Sequence, residues 1–132
     1  LKDVYKTTVY ALSMWRNHNK PAGALGPDGM VIPERIITKA PTAELKPDQT
    51  DQDTLPPYEE LDKILRCLVE EDLALEDITD RGHDLDTVLQ IQRMLDLAEY
   101  KRRQAPPGVK TTRRAFGRDR RYPITNGFRG EI

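Results

Sequence analysis

A chain of 132 residues, 37% hydrophobic and 33% charged, with two Phe and one Trp, has material for about one domain and a modest core. No apolar run approaches the ~20 residues needed to span a bilayer, no secretory signal pattern opens the chain, and the single cysteine, Cys67, excludes an internal disulfide and suits a reducing cytoplasm. The net charge of −1 conceals an asymmetry: residues 1–100 carry 11 Lys and Arg against 20 Asp and Glu, a balance of −9, whereas residues 101–132 carry 10 against 2, a balance of +8.

The chain opens on LKDVYKTTVY, already inside a helix signal and without an initiating Met, and reads as a piece of a longer protein. Asp3 is a candidate N-cap for a helix from about Val4 to Asn17. Tyr5, Val9, Leu12 and Trp15 recur at helical spacing and are expected to face a core. Lys6 falls in the first turn, where a cation opposes the helix dipole. It is either a solvated lysine or one half of an anion site completed by the helix N-terminus. The connector NHNKPAGALGPDG, Asn17 to Gly29, is rich in turn residues. His18 within it has no second ligand at metal spacing.

Pro33 can open a short helix, IPERIIT, which Ala40-Pro41 should end. The polar stretch IITKAPTAELKPDQTDQD, Ile36 to Asp53, follows. Loops longer than roughly 12–15 residues are usually functional or disordered. Pro56-Pro57 launches a strong helix from Tyr58 to about Glu70, with Tyr58, Leu61, Ile64, Leu65 and Leu68 as its stripe. Cys67, at the edge of that stripe, reads as a small buried hydrophobe rather than a nucleophile, since no His is patterned to activate it. A short helix from Leu75 to Arg81 stops at Gly82. Asp84 caps the longest helix, Leu85 to about Arg103, with Leu85, Val88, Ile91, Leu95 and Ala98 on one face. Its end, YKRRQ, places cations where the dipole favours them. After Pro106-Pro107-Gly108 the basic tail shows neither helical period nor alternation, so 104–132 is expected to be irregular.

By period alone this is an all-α piece without a self-contained active site. There is no internal repeat, Walker-type glycine loop, zinc spacing or Ser/His/Asp pattern. EDITDRGHDLDTVLQIQRML imitates a helix-turn-helix, but Asp84 and Asp86 would meet phosphates with like charge. The basic tail has two readings: it folds back on its own protein or a sister subunit, or it holds an anionic ligand such as a nucleotide or nucleic acid. A non-catalytic helical interaction module with such a tail is the alternative to an enzyme. A nucleotide site could be assembled from Lys6, the Thr42 region and the basic end of the long helix, although each piece alone is ordinary.

The segments KDVYKTTVYAL, PERIITKAPTAELKPDQTDQDTLPPY, LAEYKRRQAPPGVK and RRAFGRDRRYPITNGF, in that order, resemble the C-terminal part of glutamine-dependent NAD+ synthetase. The resemblance covers roughly Leu1 to Phe128. It implies the C-terminal portion of an α/β ATP-pyrophosphatase-type (adenine nucleotide alpha hydrolase-like) domain, mainly α as a fragment. It implies a cytoplasmic ligase of NAD biosynthesis that adenylates deamido-NAD+ with ATP and magnesium and amidates it with glutamine-derived ammonia. The SGGxDS phosphate loop and the glutaminase domain are absent, so the fragment alone is expected to be inactive.

By the same resemblance, Lys6 and Thr42 match ATP-binding residues, and Tyr100-Lys101 match a pair on the deamido-NAD+ side. Ammonia-dependent relatives carry His-Lys there, so Tyr100 departs from their pattern. The family's magnesium carboxylates fall upstream of Leu1, and no metal ligand or catalytic residue is assigned in this chain. A homo-oligomer is implied, without nucleic-acid or membrane partners. Residues 39–55 are expected to act as a lid over ATP, with Glu44, Asp48, Asp51 or Asp53 as candidate latches.

Overall fold

A computed structural model describes residues 2–41, 55–125 and 127. Thr42 and most of the expected lid, with Glu44, Asp48, Asp51 and Asp53, lie outside the described residues. Among the described residues all regular structure is helical: α1 (Lys6–His18), α2 (Glu34–Thr38), α3 (Tyr58–Leu65) running into a π-helical segment (Arg66–Glu71), α4 (Leu75–Asp80), α5 (Leu85–Leu97) and α6 (Glu99–Gln104). No helix among them is long and apolar enough to cross a membrane. The chain divides into two compact units, Tyr5–Glu59, and Leu1–Val4 together with Glu60–Ile132.

The unit Tyr5–Glu59 is built on α1. Arg16 and His18 in its last turn suit the negative end of the helix dipole. Lys20 precedes Pro21, which disfavours further helix. The connector then returns on itself, because Asn17 clamps it: the Asn17 Nδ2 donates to Ile32 O (2.8 Å), and Oδ1 accepts from the backbone N–H groups of Val31 (3.0 Å) and Ile32 (2.9 Å). Arg16 adds a bond to Pro27 O. This return sets α2 against α1. The expectation that Tyr5, Val9, Leu12 and Trp15 face a core is corrected here. No α1 residue is buried, and Leu12 and Trp15 are 47% and 50% exposed. A five-residue α2 is too short to cover a thirteen-residue helix.

The core of the other unit joins Ile64, Cys67, Leu68 and Val69 to Ile78, Val88, Ile91 and Leu95, with Phe116 packed against them. Three consecutive buried residues, Cys67 to Val69, do not fit one stripe of a 3.6-residue period. The wider π turn brings all three inward, and it ends at Asp72 in the left-handed region (φ 56°, ψ 41°). Cys67 is a buried small side chain, as expected. Gly82, at φ 94°, stops α4 in a conformation that favours glycine. Asp84 caps α5 as anticipated, accepting from Thr87 N–H at 2.9 Å.

Two further expectations are corrected. The long helix does not run from Leu85 to Arg103. It ends at Leu97, the backbone turns at Ala98 (φ −82°, ψ 4°), and α6 follows. The turn carries Glu99 inward to 1% exposure, where Arg102 (2.6 Å) and Arg103 (3.1 Å) meet it. Nor does Asp3 cap α1, whose N-cap position is Tyr5 and whose first turn receives no side-chain capping bond from it. The Asp3 carboxylate instead accepts from the backbone N–H groups of Thr111 (2.7 Å), Phe116 (2.8 Å) and Thr112 (3.4 Å). Several converging donors in the tail outbid the open donors of one helix end. The described residues of the tail beyond α6 form no helix and fold back on their own unit: Arg114 pairs with Asp72 (2.7 Å) and Arg120 with Asp96 (2.8 Å).

Burial raises the Asp3 pKa, but the bonds from Thr111, Phe116 and Thr112 outweigh it and hold the group below its ordinary value. A depressed folded-state pKa stabilises the fold above the unfolded value, about 3.9, and the contribution is lost as pH falls through the folded value. Asp3→Ala should therefore cost roughly 3 kcal/mol in urea unfolding at neutral pH. The deficit relative to the parent should shrink below about pH 4. An equal deficit at pH 7 and pH 3 would refute the assignment.

Candidate functional site

Lys6 begins α1, whose first turn holds no acidic residue and whose N-terminus has no side-chain cap. It borders a cavity of about 600 Å³ between α1 and α2. Lys6, Tyr10 and Ser13 line it from α1, and Arg35, Lys39 and Pro41 from α2 and its C-terminal end. No Asp or Glu is among the described lining residues. Three cations thus share one concave space. Among the described residues no carboxylate forms an ion pair with Lys6, Arg35 or Lys39.

That arrangement is costly for an empty site. Arg35 and Lys39 stand four apart, where like charges repel by a few tenths of a kcal/mol. A cation in the first turn of α1 opposes the dipole by a similar amount. An anion with several oxygens relieves both, since Arg presents a fork of donors and Lys a compact charge. Lys6 was legible from its place in the first turn. Arg35 was missed, although its spacing from Lys39 without an intervening carboxylate was a usable signal. Pro41 lines the cavity and is followed directly by Thr42, which lies outside the described residues.

The other expected pair, Tyr100-Lys101, lies on α6 in the second unit. Tyr100 is half exposed and lines a small cavity of about 50 Å³ with Tyr122 and Pro123 of the tail. Lys101 Nζ lies 6.0 Å from the Tyr100 ring centroid. Burial raises the Glu99 pKa, but the hydrogen bonds from Arg102 and Arg103 outweigh it and keep the group ionised below its ordinary range. Glu99 therefore holds Arg102 and Arg103, while Lys101 points outward without an ion pair among the described residues. Of these three consecutive cations, Lys101 has no ion pair among the described residues.

The described residues contain no group of three His, Cys, Asp or Glu side chains placed to hold a metal ion. Magnesium favours carboxylate oxygens, so the cavity lining does not fit it, and no step is derived through a metal held by these residues.

Comparison with known proteins gives these residues a context. A family model described as NAD synthase matches residues 1–105. The glutamine-dependent NAD(+) synthetase of Xanthomonas campestris pv. campestris is 50% identical over 131 residues, 99% of this chain and 22% of that protein. Its namesake from Thermotoga maritima is 52% identical over 129 residues, 98% of this chain and 21% of that protein. Among solved structures, glutamine-dependent NAD+ synthetase from Acinetobacter baumannii in complex with adenosine diphosphate matches at 42% identity and a TM-score of 0.54, across 99% of this chain and 21% of that one. The chain spans about a fifth of the length of the curated relatives it matches.

Two outcomes are expected. Arg35→Ala should weaken inorganic pyrophosphate binding about tenfold in calorimetric titration, the scale of one charge-assisted contact, whereas Arg93→Ala on α5 should not change it. Asn17→Ala should cost roughly 2–3 kcal/mol of stability by leaving Val31 and Ile32 N–H groups without their acceptor, and should abolish pyrophosphate binding with it. Retained binding in Asn17→Ala would show that the cavity does not depend on the clamp.

Proposed function

The chain belongs to the NAD synthase family, and from that premise we propose that it is the C-terminal part of the synthetase domain of a glutamine-dependent NAD+ synthetase. In this reading the cavity between α1 and α2 takes the phosphates of ATP. The observation that carries it is the convergence of Lys6, Arg35 and Lys39 on one space whose described lining residues include no carboxylate. The ADP complex of the Acinetobacter baumannii relative supports a nucleotide as ligand.

The chemistry is an amide-forming ligation. The carboxylate of deamido-NAD+ attacks the α-phosphorus of ATP, and pyrophosphate leaves. Ammonia released from glutamine then displaces AMP at the acyl carbon to give NAD+. Negative charge grows on the departing pyrophosphate, and preorganised cations lower that barrier most when they need not reorient. Lys6, fixed at a helix start, has that character, and Thr42 would add a hydroxyl donor beside Pro41. Lys101, left unpaired by Glu99, would meet a phosphate or the nicotinate carboxylate of deamido-NAD+, with Tyr100 beside it. The α/β sheet of an ATP-pyrophosphatase-type domain, the magnesium ligands and the ammonia source would come from the rest of the full-length enzyme. The exposed Leu12 and Trp15 suit burial against that remainder or a second subunit of a homo-oligomer.

In the full-length enzyme carrying this sequence, Lys6→Ala should lower kcat/KM for ATP by ~10²-fold, as loss of a preorganised charge donor does. Deamido-NAD+-dependent exchange between ATP and labelled pyrophosphate should fall in parallel. Parental values in both assays would overturn the phosphate reading.

A further inference from the structure

Among the described residues no carboxylate pairs with the Lys6 ammonium. It lies beside two neighbouring aromatic rings, 5.5 Å from the Tyr10 centroid and 5.7 Å from the Tyr58 centroid. Both distances fall within the reach of a cation–π interaction, about 6 Å. The rings stand 6.4 Å apart at 57°, a tilted arrangement that aromatic pairs favour. Tyr10 is four residues after Lys6, and helical side chains lean toward the N-terminus, so its ring covers the turn that Lys6 begins. Tyr58 arrives from the first residue of α3 and is 9% exposed. Buried as it is, the Tyr58 ring has little room to move.

We infer that Tyr10 and Tyr58 form an aromatic clamp that orients Lys6 toward the cavity, making Tyr10 a positioning residue for phosphate contact. This rests on the phosphate reading of the cavity. The clamp answers a conflict in what a phosphate-stabilising lysine requires. Its long stem must be confined before the reaction, because charge stabilisation fails if the donor has to be ordered during it. A carboxylate partner would confine it but cancel its charge. Two ring faces confine it and leave the full positive charge directed at the ligand. Among the described residues Lys6 has ring partners and no ion pair, which is the combination this task needs.

The test compares Tyr10→Phe and Tyr10→Leu in the full-length enzyme, each alone and combined with Lys6→Ala. Tyr10→Leu should lower kcat/KM for ATP about tenfold, the upper range of a desolvated cation–π contact. Tyr10→Phe, which keeps the ring face, should restore it to within about twofold of the parent, because cation–π attraction needs the face and not the hydroxyl. In the Lys6→Ala background Tyr10→Leu should cause no further loss, since its effect passes through Lys6. Tyr10→Met, unbranched and closer in length, serves if thermal unfolding shows that Tyr10→Leu is misfolded. Parental activity in Tyr10→Leu, equal damage in Tyr10→Phe, or an undiminished loss in the Lys6→Ala background would each overturn the clamp. If Lys6→Ala itself is parental, the phosphate reading fails and the clamp with it. If Lys6→Ala is damaging but the Tyr10 variants are not, the clamp alone fails.

Discussion

One amide side chain makes the candidate site. Asn17 sits in the last turn of α1 and uses its donor and its acceptor on backbone fourteen and fifteen residues away. An amide is suited to this, because it can accept two bonds on one oxygen while donating from its nitrogen. The bonds turn a glycine- and proline-rich connector into a fixed return, and the return places α2 alongside α1. Only then do Arg35 and Lys39 share a cavity with Lys6. Without the clamp, the three cations would be distributed along a flexible segment, and their mutual repulsion would separate them.

The second unit uses buried carboxylates in the same way. Asp3 accepts three backbone N–H bonds from the tail, and Glu99 accepts from Arg102 and Arg103. Asp3 ties the start of the chain to the tail, whereas Glu99 fixes two cations of its own helix. A basic tail of low apolar content cannot fold by burial alone. It is instead ordered by charge-assisted bonds to Asp3, Asp72 and Asp96, with Phe116 as its main apolar anchor on the core. These same bonds determine which cations are left over. Arg102 and Arg103 are taken by Glu99, and Arg120 by Asp96, so Lys101 is the basic residue of α6 without an ion pair among the described residues.

The two units therefore share a logic in which some charges are satisfied internally and a few are not. Unsatisfied cations are costly at rest and useful when an anion arrives, and function is expected where such cost is tolerated. Lys6 is the clearest case: its ammonium lies 5.5 Å and 5.7 Å from the Tyr10 and Tyr58 ring centroids and, among the described residues, pairs with no carboxylate.

Much of the local structure was legible from the sequence. The Asp84 cap, the Gly82 stop, the stripe Ile64–Leu68, the stripe Val88–Ile91–Leu95, the burial of Cys67 and the position of Lys6 in the first turn all follow from residues three or four apart. Periodicity and capping are short-range properties, and a sequence states them directly. The rest needed the tertiary structure. Asp3 looked like a cap and became the acceptor for donors 108 to 113 residues away. The Tyr5–Trp15 stripe promised a core that the short α2 does not supply. The π segment and the break at Ala98 depend on what Cys67–Val69 and Glu99 meet inside the fold. Arg35 joined Lys6 only through the Asn17 return. No local period encodes a contact between distant residues, because its energy exists only once both partners have been brought together.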